Sequence, residues 1–548
     1  MKKLKIVIVG AGAAGYFAAA AIKRNCPAHE VIVVSDPKTP HIGVGEAIAW
    51  NGPHFMQVVL GLKDFQWMKD SQSAWKFAVR HRGFHGDDRP DYAWSFPFNP
   101  TARLLSASLW DSKYHLRTTK MTNNPPTTMY DVWLHLKAKG LLDTYNPQQD
   151  THELQHFAEQ NKSVIEDDGQ WVVSAYAGHS YHINSFYIKD VVHNLVGKPA
   201  GVKDVQIKVK DVVLTPDGAI DYLLLDNEEK MHADLFIDST GLKRLLVSKM
   251  SSDFVELDEY CNDSSLVSLH KYESPDEYTN YTLHHAMNHG WRFSISMQDR
   301  CGEGYTYNSR INNNEDQFVD EHIKKSGHKD LDFRKFLWTP GYYKNSIVKN
   351  CLALGLSYGM SDVFDANNFS STLRQIEKLV EMLKKDPEAT NSWVEKYNRY
   401  VEGITADVYF RIQCAFHLAP RNDTVYWQTM KEAANKFNTK QKLIDTVFEP
   451  NRKVVTSLDN PVSYIQHTWI NQCAFYDIPL YKDPRCIRPE IDEVTEQLAL
   501  NWFKFFNNKN RIVAENSRSM NDFYKNIYPN ITVSNTGDNL SNYTDYLG

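Results

Sequence analysis

The hydrophobic pattern changes period early. KIVIV (Lys5 to Val9) is apolar after its first residue, as a strand buried on both faces is. GAGAAG (Gly10 to Gly15) interrupts the run, YFAAAAIKRN carries small apolar residues, and EVIVVSDP returns to a buried strand. This order predicts a βαβ unit and a parallel sheet. In SAWKFAVRHRGF (Ser73 to Phe84), Trp75, Phe77 and Val79 alternate with other residues and predict one half-buried strand over Trp75 to Phe84. Lys76 sits inside that alternation, between two aromatic residues. Strand statistics put such a lysine on the solvent face; the alternative is a lysine enclosed for chemistry, and the pattern leaves both open.

Arg89 to Asn123 reads as aromatic and loop-rich, and strand-like sequence resumes at Gln170 to Ala177. VQIKVKDVVLTPDGAIDYLLLDNEEK predicts alternating strands that turn at PDG and DNEE. ADLFIDSTG (Ala233 to Gly241) is a further buried strand ending in a glycine turn. After about Gln375 the pattern is mainly helical, and the last stretch, NITVSNTGDNLSNYTDYLG, is polar and expected to be loosely held. The expectation is an α/β chain. Residues 1–375 form a Rossmann-like domain with a mixed, β-rich substrate region, and residues 376–548 form a mainly helical covering region. No internal repeat or low-complexity linker interrupts it.

With 548 residues the chain exceeds one simple core. Its 42% hydrophobic and 23% charged content is ordinary for a soluble protein, and a net charge of -6 argues against nucleic acid or an anionic membrane as partner. The basic, apolar N-terminus superficially resembles a secretory signal, but the regular glycines and Lys5 fit a nucleotide-binding turn better. No other run is long enough to span a bilayer. Cys26, Cys261, Cys301, Cys351, Cys414, Cys473 and Cys486 are scattered, with no zinc-type spacing. They read as reduced thiols in a cytoplasmic protein, with no metal site.

Gly10-Ala11-Gly12-Ala13-Ala14-Gly15 follows a strand and opens a helix, the context that gives GxGxxG its meaning. The first glycine permits the turn, the second lets a pyrophosphate approach backbone, and the third lets helix and strand pack closely. Ser35 and Asp36 end the second strand and compete as ribose ligand, with Asp36 alternatively a turn residue before Pro37. HIGVGEA (His41 to Ala47) and the late ADLFIDSTG strand suit two pieces closing over one extended cofactor, FAD in preference to NAD.

Taken together, these motifs resemble the flavin-dependent halogenases of the tryptophan-halogenase type. That family's GVGEA is Gly43-Val44-Gly45-Glu46-Ala47, its YHFDA is similar to Tyr181-His182-Ile183-Asn184-Ser185, and its ADLFIDCSG is nearly intact as Ala233 to Gly241. The WxWxIP hallmark is degraded to Trp291-Arg292-Phe293-Ser294-Ile295-Ser296, followed by GxGYxY at Gly302 to Tyr307. NCLALGLSYGMSDVFDANNF (Asn350 to Phe369) is similar to the family's EPLESTGI segment, and RNDTVYW (Arg421 to Trp427) to a pattern of its helical region.

The resemblance implies a GR2-type flavin monooxygenase fold that binds FAD, with Gly10, Gly12, Ala13, Ala14, Gly15, Ser35, Asp36, Gly45, Glu46, Ala47, Leu356 and Phe369 at the cofactor. It further implies reduced FAD from a separate flavin reductase, a hydroperoxide formed with oxygen, halide attack on it, and hypohalous acid relayed to a small aromatic substrate. Lys76 falls at the place of the family's essential lysine, where desolvation favours a neutral, nucleophilic amine. Asp365 takes the place of the catalytic glutamate, one methylene shorter, and Asp362 is the second choice. Asn367 and Asn368 replace the halide-binding Thr-Gly pair, which implies a pocket favouring bromide or iodide over chloride. Trp291 and Phe293 would wall the flavin side and suppress hydroxylation. The competing readings are a hydroxylating or epoxidising flavin monooxygenase and a flavoprotein that has lost catalysis. The organic substrate and self-association are left open by the sequence.

Overall fold

Continuous apolar runs need cover on both faces, and they receive it at the centre of a six-stranded sheet. The computed structural model describes residues 3–527 apart from 40–42, 50, 63–65, 87–91, 96–127, 153, 166–171, 173–178, 275–276, 330, 387–390, 454–462 and 465. The strand order is Ile347–Val348, Cys351–Ala353, Leu235–Asp238, Lys5–Val9, Glu30–Val34 and Lys203–Val205. All neighbours are parallel except the first pair. The helix Ala13–Asn25 covers this sheet with Phe17 to Ile22 wholly buried, and Phe17 meets Phe369 of the helix Asn367–Lys385 edge-on at 5.3 Å. The expected hairpins form over Val209–Leu214, Ile220–Leu225 and Lys230–Met231.

A second sheet has seven strands, in the order Arg334–Leu337, Ser264–His270, Cys301–Tyr307, Gly290–Ser296, Tyr281–Ala286, Ala78–Arg82 and Tyr92–Ser95. Its pairings are antiparallel except that between Tyr281–Ala286 and Ala78–Arg82. A small third sheet joins Glu46–Ala47, Ser180–Ile183 and Ala74–Lys76.

The single strand expected over Trp75 to Phe84 is therefore two. Ala74–Lys76 pairs with Ser180–Ile183 in the small sheet, and Ala78–Arg82 pairs with Tyr281–Ala286 in the large one. Phe77 is the switch, its N–H donating to the Asn280 carbonyl at 2.7 Å. A segment passing between two sheets is enclosed on every side, so its alternation does not mark a solvent face. Lys76 is 0% exposed, which removes the solvent-face alternative.

Within Arg89 to Asn123 the described part, Tyr92–Ser95, is a strand, not a loop. The Gln170 to Ala177 strand, apart from Val172, and the polar tail lie outside the described residues. Beyond residue 375 the chain is helical as expected: Asn391–His417, Val425–Lys436, Thr439–Val447, Gln466–Phe475, Glu493–Asn516 and Met520–Ile527. The 375/376 division falls inside the helix Asn367–Lys385, so no linker separates the two regions. One core lies around the nucleotide-type sheet. Another packs Trp291, Phe293 and Ile295 of the seven-stranded sheet against Phe364, Phe416, Trp427 and Trp469. All seven cysteines are buried and unbridged. Among the described residues no helix is long and apolar enough to cross a membrane.

Candidate active site

The glycine-rich turn has the geometry its spacing calls for. Gly10 has φ +113°, and a Cβ there would lie 2.5 Å from the Ser239 carbonyl oxygen; a Cβ on Gly15 would lie 2.0 Å from the Gly10 carbonyl oxygen. These contacts bring helix, first strand and the Leu235–Asp238 strand together as closely as backbones allow. At Gly12 nothing lies within 4 Å of the Cβ position. The N-cap Gly12 of the helix starting at Ala13 supplies no side-chain cap, and no acid sits in the first turn, so neither competes for its first N–H groups. A pyrophosphate fits this cradle. Ala14 lies 3.8 Å from the Cβ position of Gly355, which places Leu356 in the turn Gly355–Ser357 beside the cradle.

At the end of the second strand, Ser35 donates its N–H to Val205. Asp36 accepts from the Lys38 N–H at 2.9 Å and the Thr39 hydroxyl at 3.2 Å, so the turn-forming alternative describes its carboxylate. Gly45 lies against Met297, and the Val44 carbonyl occupies the space a side chain on Gly302 would need. GVGEA is thereby locked to GxGYxY. Glu46 and Ala47 pair with Ile183 and His182. Glu46 keeps some solvent contact, yet desolvation pushes its carboxyl up to about 7. Phe369 points into the core against Phe17, which leaves its backbone, not its ring, for a cofactor.

Lys76 anchors the second part of the site. Burial lowers its pKa from 10.5 to about 7, while the charge of Asp365 acts in the opposite direction. Asp365 and Ala366 both adopt left-handed backbone, φ +63° and +60°, just before the helix that begins at Asn367. This double turn swings the Asp365 carboxylate into the interior, where Oδ2 lies 3.0 Å from Arg411 Nη2 and Oδ1 lies 4.0 Å from His284 Nδ1. Asp362 does not join this group. It is buried elsewhere, accepting from Asn262 at 2.8 Å and from the Phe364 N–H, and desolvation raises its pKa to about 7. Asn367 donates to the Phe364 carbonyl at 2.9 Å and Asn368 to the Asp362 carbonyl at 3.0 Å. Both side chains thus fold back onto the turn, and no side chain caps the helix. Left-handed Ala366 running into an uncapped helix start at Asn367 is backbone that can form an anion-accepting nest of N–H groups.

One face of the seven-stranded sheet walls the chamber, the enclosed group of Lys76, Asp365 and Arg411. His81 pairs with His284 and His284 with Phe293, so these residues project together with Trp291. The His284 ring lies 4.5 Å from Phe364, 4.9 Å from Trp291 and 5.1 Å from His81. Burial keeps both imidazoles well below their usual range, helped by Arg411 and, at His284, by Lys76. His182 reaches the same chamber. Its Nδ1 donates to the Ser296 carbonyl at 2.7 Å, its Nε2 accepts from Thr282 at 2.8 Å, and burial with Lys76 nearby drops it to about 3. His81, His284 and Asp365 offer ligand atoms within 4.8 Å of one another, but the Arg411 guanidinium, 3.0 Å from Asp365, already supplies positive charge there.

His81, His284, Arg411 and the buried Asp238 were not legible as site residues in the sequence. The Asp238 carboxylate gathers Thr240, Leu246, Val247 and Ser357, tying the late strand to the turn at Leu356. Its place before a glycine turn was the available signal. For the histidines the signal was period-2 spacing from Val79 and Thr282, which any core strand shows.

Comparison with known proteins follows the same lines. The family profile "Tryptophan halogenase" matches residues 5–471. Tryptophan 7-halogenase RebH of Lentzea aerocolonigenes is 25% identical over 437 residues, covering 78% of this chain and 79% of its own length. In fold, Xcc4156, a flavin-dependent halogenase from Xanthomonas campestris, superposes with a TM-score of 0.77 at 19% identity, over 96% of this chain and 98% of its own. A tryptophan halogenase from Shewanella frigidimarina superposes with a TM-score of 0.80 at 16% identity, over 96% and 98%. With a nucleotide cradle, a buried lysine beside a carboxylate and a profile match over most of its length, the chain belongs to the tryptophan halogenase family, the flavin-dependent halogenases.

Proposed function

We propose that this flavin-dependent halogenase acts on an electron-rich aromatic ring, that Lys76 delivers the halogen, and that bromide or iodide is preferred to chloride. The observation that carries the reading is Lys76, wholly buried beside Asp365, on a chain that also holds an open pyrophosphate cradle. Reduced FAD, supplied by a separate flavin reductase, provides the chemistry that oxidises halide with oxygen. The protein's own residues do the rest. The N–H nest after Asp365 and Ala366 holds the halide, Lys76 takes up the oxidised halogen as a neutral amine or by hydrogen bond, and Trp291 and Phe293 exclude water. Asp365 holds Lys76 in place electrostatically. RebH is named for position 7 of tryptophan; for this chain the proposal extends to electron-rich rings as a class, indole among them.

The halide preference rests on the nest. Asn367 and Asn368 commit their side chains to backbone carbonyls and fill space beside it. Chloride is strongly hydrated and hard to oxidise, so it needs the tightest desolvation and alignment. A reshaped nest penalises it first. Competition among equimolar chloride, bromide and iodide, with FAD, a flavin reductase and indole, should give mostly brominated or iodinated product by mass spectrometry. Predominantly chlorinated product would sink the preference, and hydroxylated product would sink the halogen-transfer reading.

A further inference from the structure

Aromatic halogenation has a second half that the Lys76 reading leaves unassigned. Once the ring carbon bonds halogen it also carries a proton, and aromaticity returns only when that proton leaves. The obvious acceptor is Asp365, but its Oδ2 lies 3.0 Å from Arg411 Nη2 and is already engaged by the guanidinium. His284 is placed differently. It is 1% exposed and lies at the chamber wall between Phe364 and Trp291. Its Nδ1 has no hydrogen-bond partner among the described residues, and Asp365 Oδ1 lies 4.0 Å from it. A buried imidazole nitrogen without a partner is costly, and its persistence calls for a ligand that supplies one.

We propose that His284 is the catalytic base that removes the ring proton, with Asp365 and Arg411 as positioning residues behind it. The proposal rests on the halogenase reading above. The step balances: the ring attacks the halogen of hypohalous acid held at Lys76, the carbon–halogen bond forms, and the oxygen–halogen bond breaks. The oxygen departs as hydroxide, His284 takes the proton of the ring C–H as its bonding electrons return to the ring, and that proton, passed on from the imidazolium, turns the hydroxide into water. Net, arene plus hypohalous acid gives aryl halide plus water. The charged and titratable groups around His284 are Lys76, His81, Asp365 and Arg411. Burial, with the charges of His81, Lys76 and Arg411, disfavours the imidazolium, which leaves the lone pair available. A protonated, halogenated ring is so strong an acid that a weak base suffices. The imidazolium then forms within reach of the Asp365 carboxylate, which stabilises it until the proton passes on.

The test uses the FAD-loaded enzyme with flavin reductase, bromide, and either indole or ring-deuterated indole. Hypobromous acid is trapped in parallel by a small diketone. For His284→Gln, and for His284→Phe as a second variant, the ratio of bromoindole formed to hypobromous acid trapped should fall about 100-fold. A primary deuterium isotope effect should also appear where the wild type shows none, a signature that a merely structural role would not move. An unchanged ratio, or a lowered ratio with no isotope effect in either variant, would overturn the proposal. Absence of trapped hypobromous acid from the wild type would instead overturn the halogenase reading beneath it.

Discussion

Lys76 concentrates the physical argument at the scale of single residues. Holding an amine at about 7 where water gives 10.5 means that the fold works against its protonation. The folded state binds fewer protons than the unfolded one between those values, so this residue's contribution to stability rises with pH across that window. At pH 7 its burial costs roughly 3 to 5 kcal/mol. Lys76→Met fills a similar volume without the charge and should raise the melting temperature at neutral pH while abolishing halogenation. Thermal denaturation at pH 7 and pH 10 checks this. An equal or lower melting temperature at pH 7, or a gain that does not shrink by pH 10, would show that the lysine is not desolvated as described. The identity of this residue was legible only through its place after GVGEA. Its surroundings were not, because His81, His284 and Arg411 come from strands and a helix far apart in the chain, and no local spacing links them.

Among the elements, the glycine-rich turn was fully legible and the lysine strand was misread. The turn obeys local rules: a left-handed residue, a close approach, an uncapped helix start. Gly15→Ala puts a Cβ 2.0 Å from the Gly10 carbonyl oxygen, in a contact between backbones that no side-chain movement relieves. FAD affinity, read by quenching of flavin fluorescence, should fall at least about tenfold, as the cost of a misplaced helix start of more than 1.4 kcal/mol implies. Unchanged affinity would mean that the cofactor does not use this turn. The strand was misread for a different reason. Alternation reports which side chains share a face, and it is silent on whether the next residue continues in the same sheet. The switch at Phe77 depends on Asn280 and Ser180, both distant in sequence. The left-handed pair Asp365-Ala366 was equally hidden, since alanine rarely adopts that conformation and only the surrounding packing imposes it.

Across the whole molecule, the site lies where the aromatic face of the seven-stranded sheet meets the C-terminal helices. The helix Asn367–Lys385 connects it to the nucleotide-type sheet. That helix begins at the left-handed turn of Asp365 and Ala366 and packs by Phe369 on the helix that follows the glycine-rich turn. The helix after the glycine-rich turn and the left-handed turn at Asp365 and Ala366 are thus tied together by one continuous element. It also runs through 375/376 without a break. The sequence conveyed the order of motifs, and from it the family and the cofactor. It could not convey the enclosure, which arises only when Arg411, Phe416 and Trp427 close over the sheet. The central claim is that this enclosure makes Lys76 the carrier of the halogen. The most direct test compares the wild type with Lys76→Ala in the presence of FAD, flavin reductase, bromide and indole. Product is read by mass spectrometry, and bound flavin and oxygen consumption are read in parallel. The account predicts bromoindole from the wild type and none from Lys76→Ala, with flavin binding and oxygen consumption retained. Bromoindole formed by Lys76→Ala at the wild-type rate would contradict it.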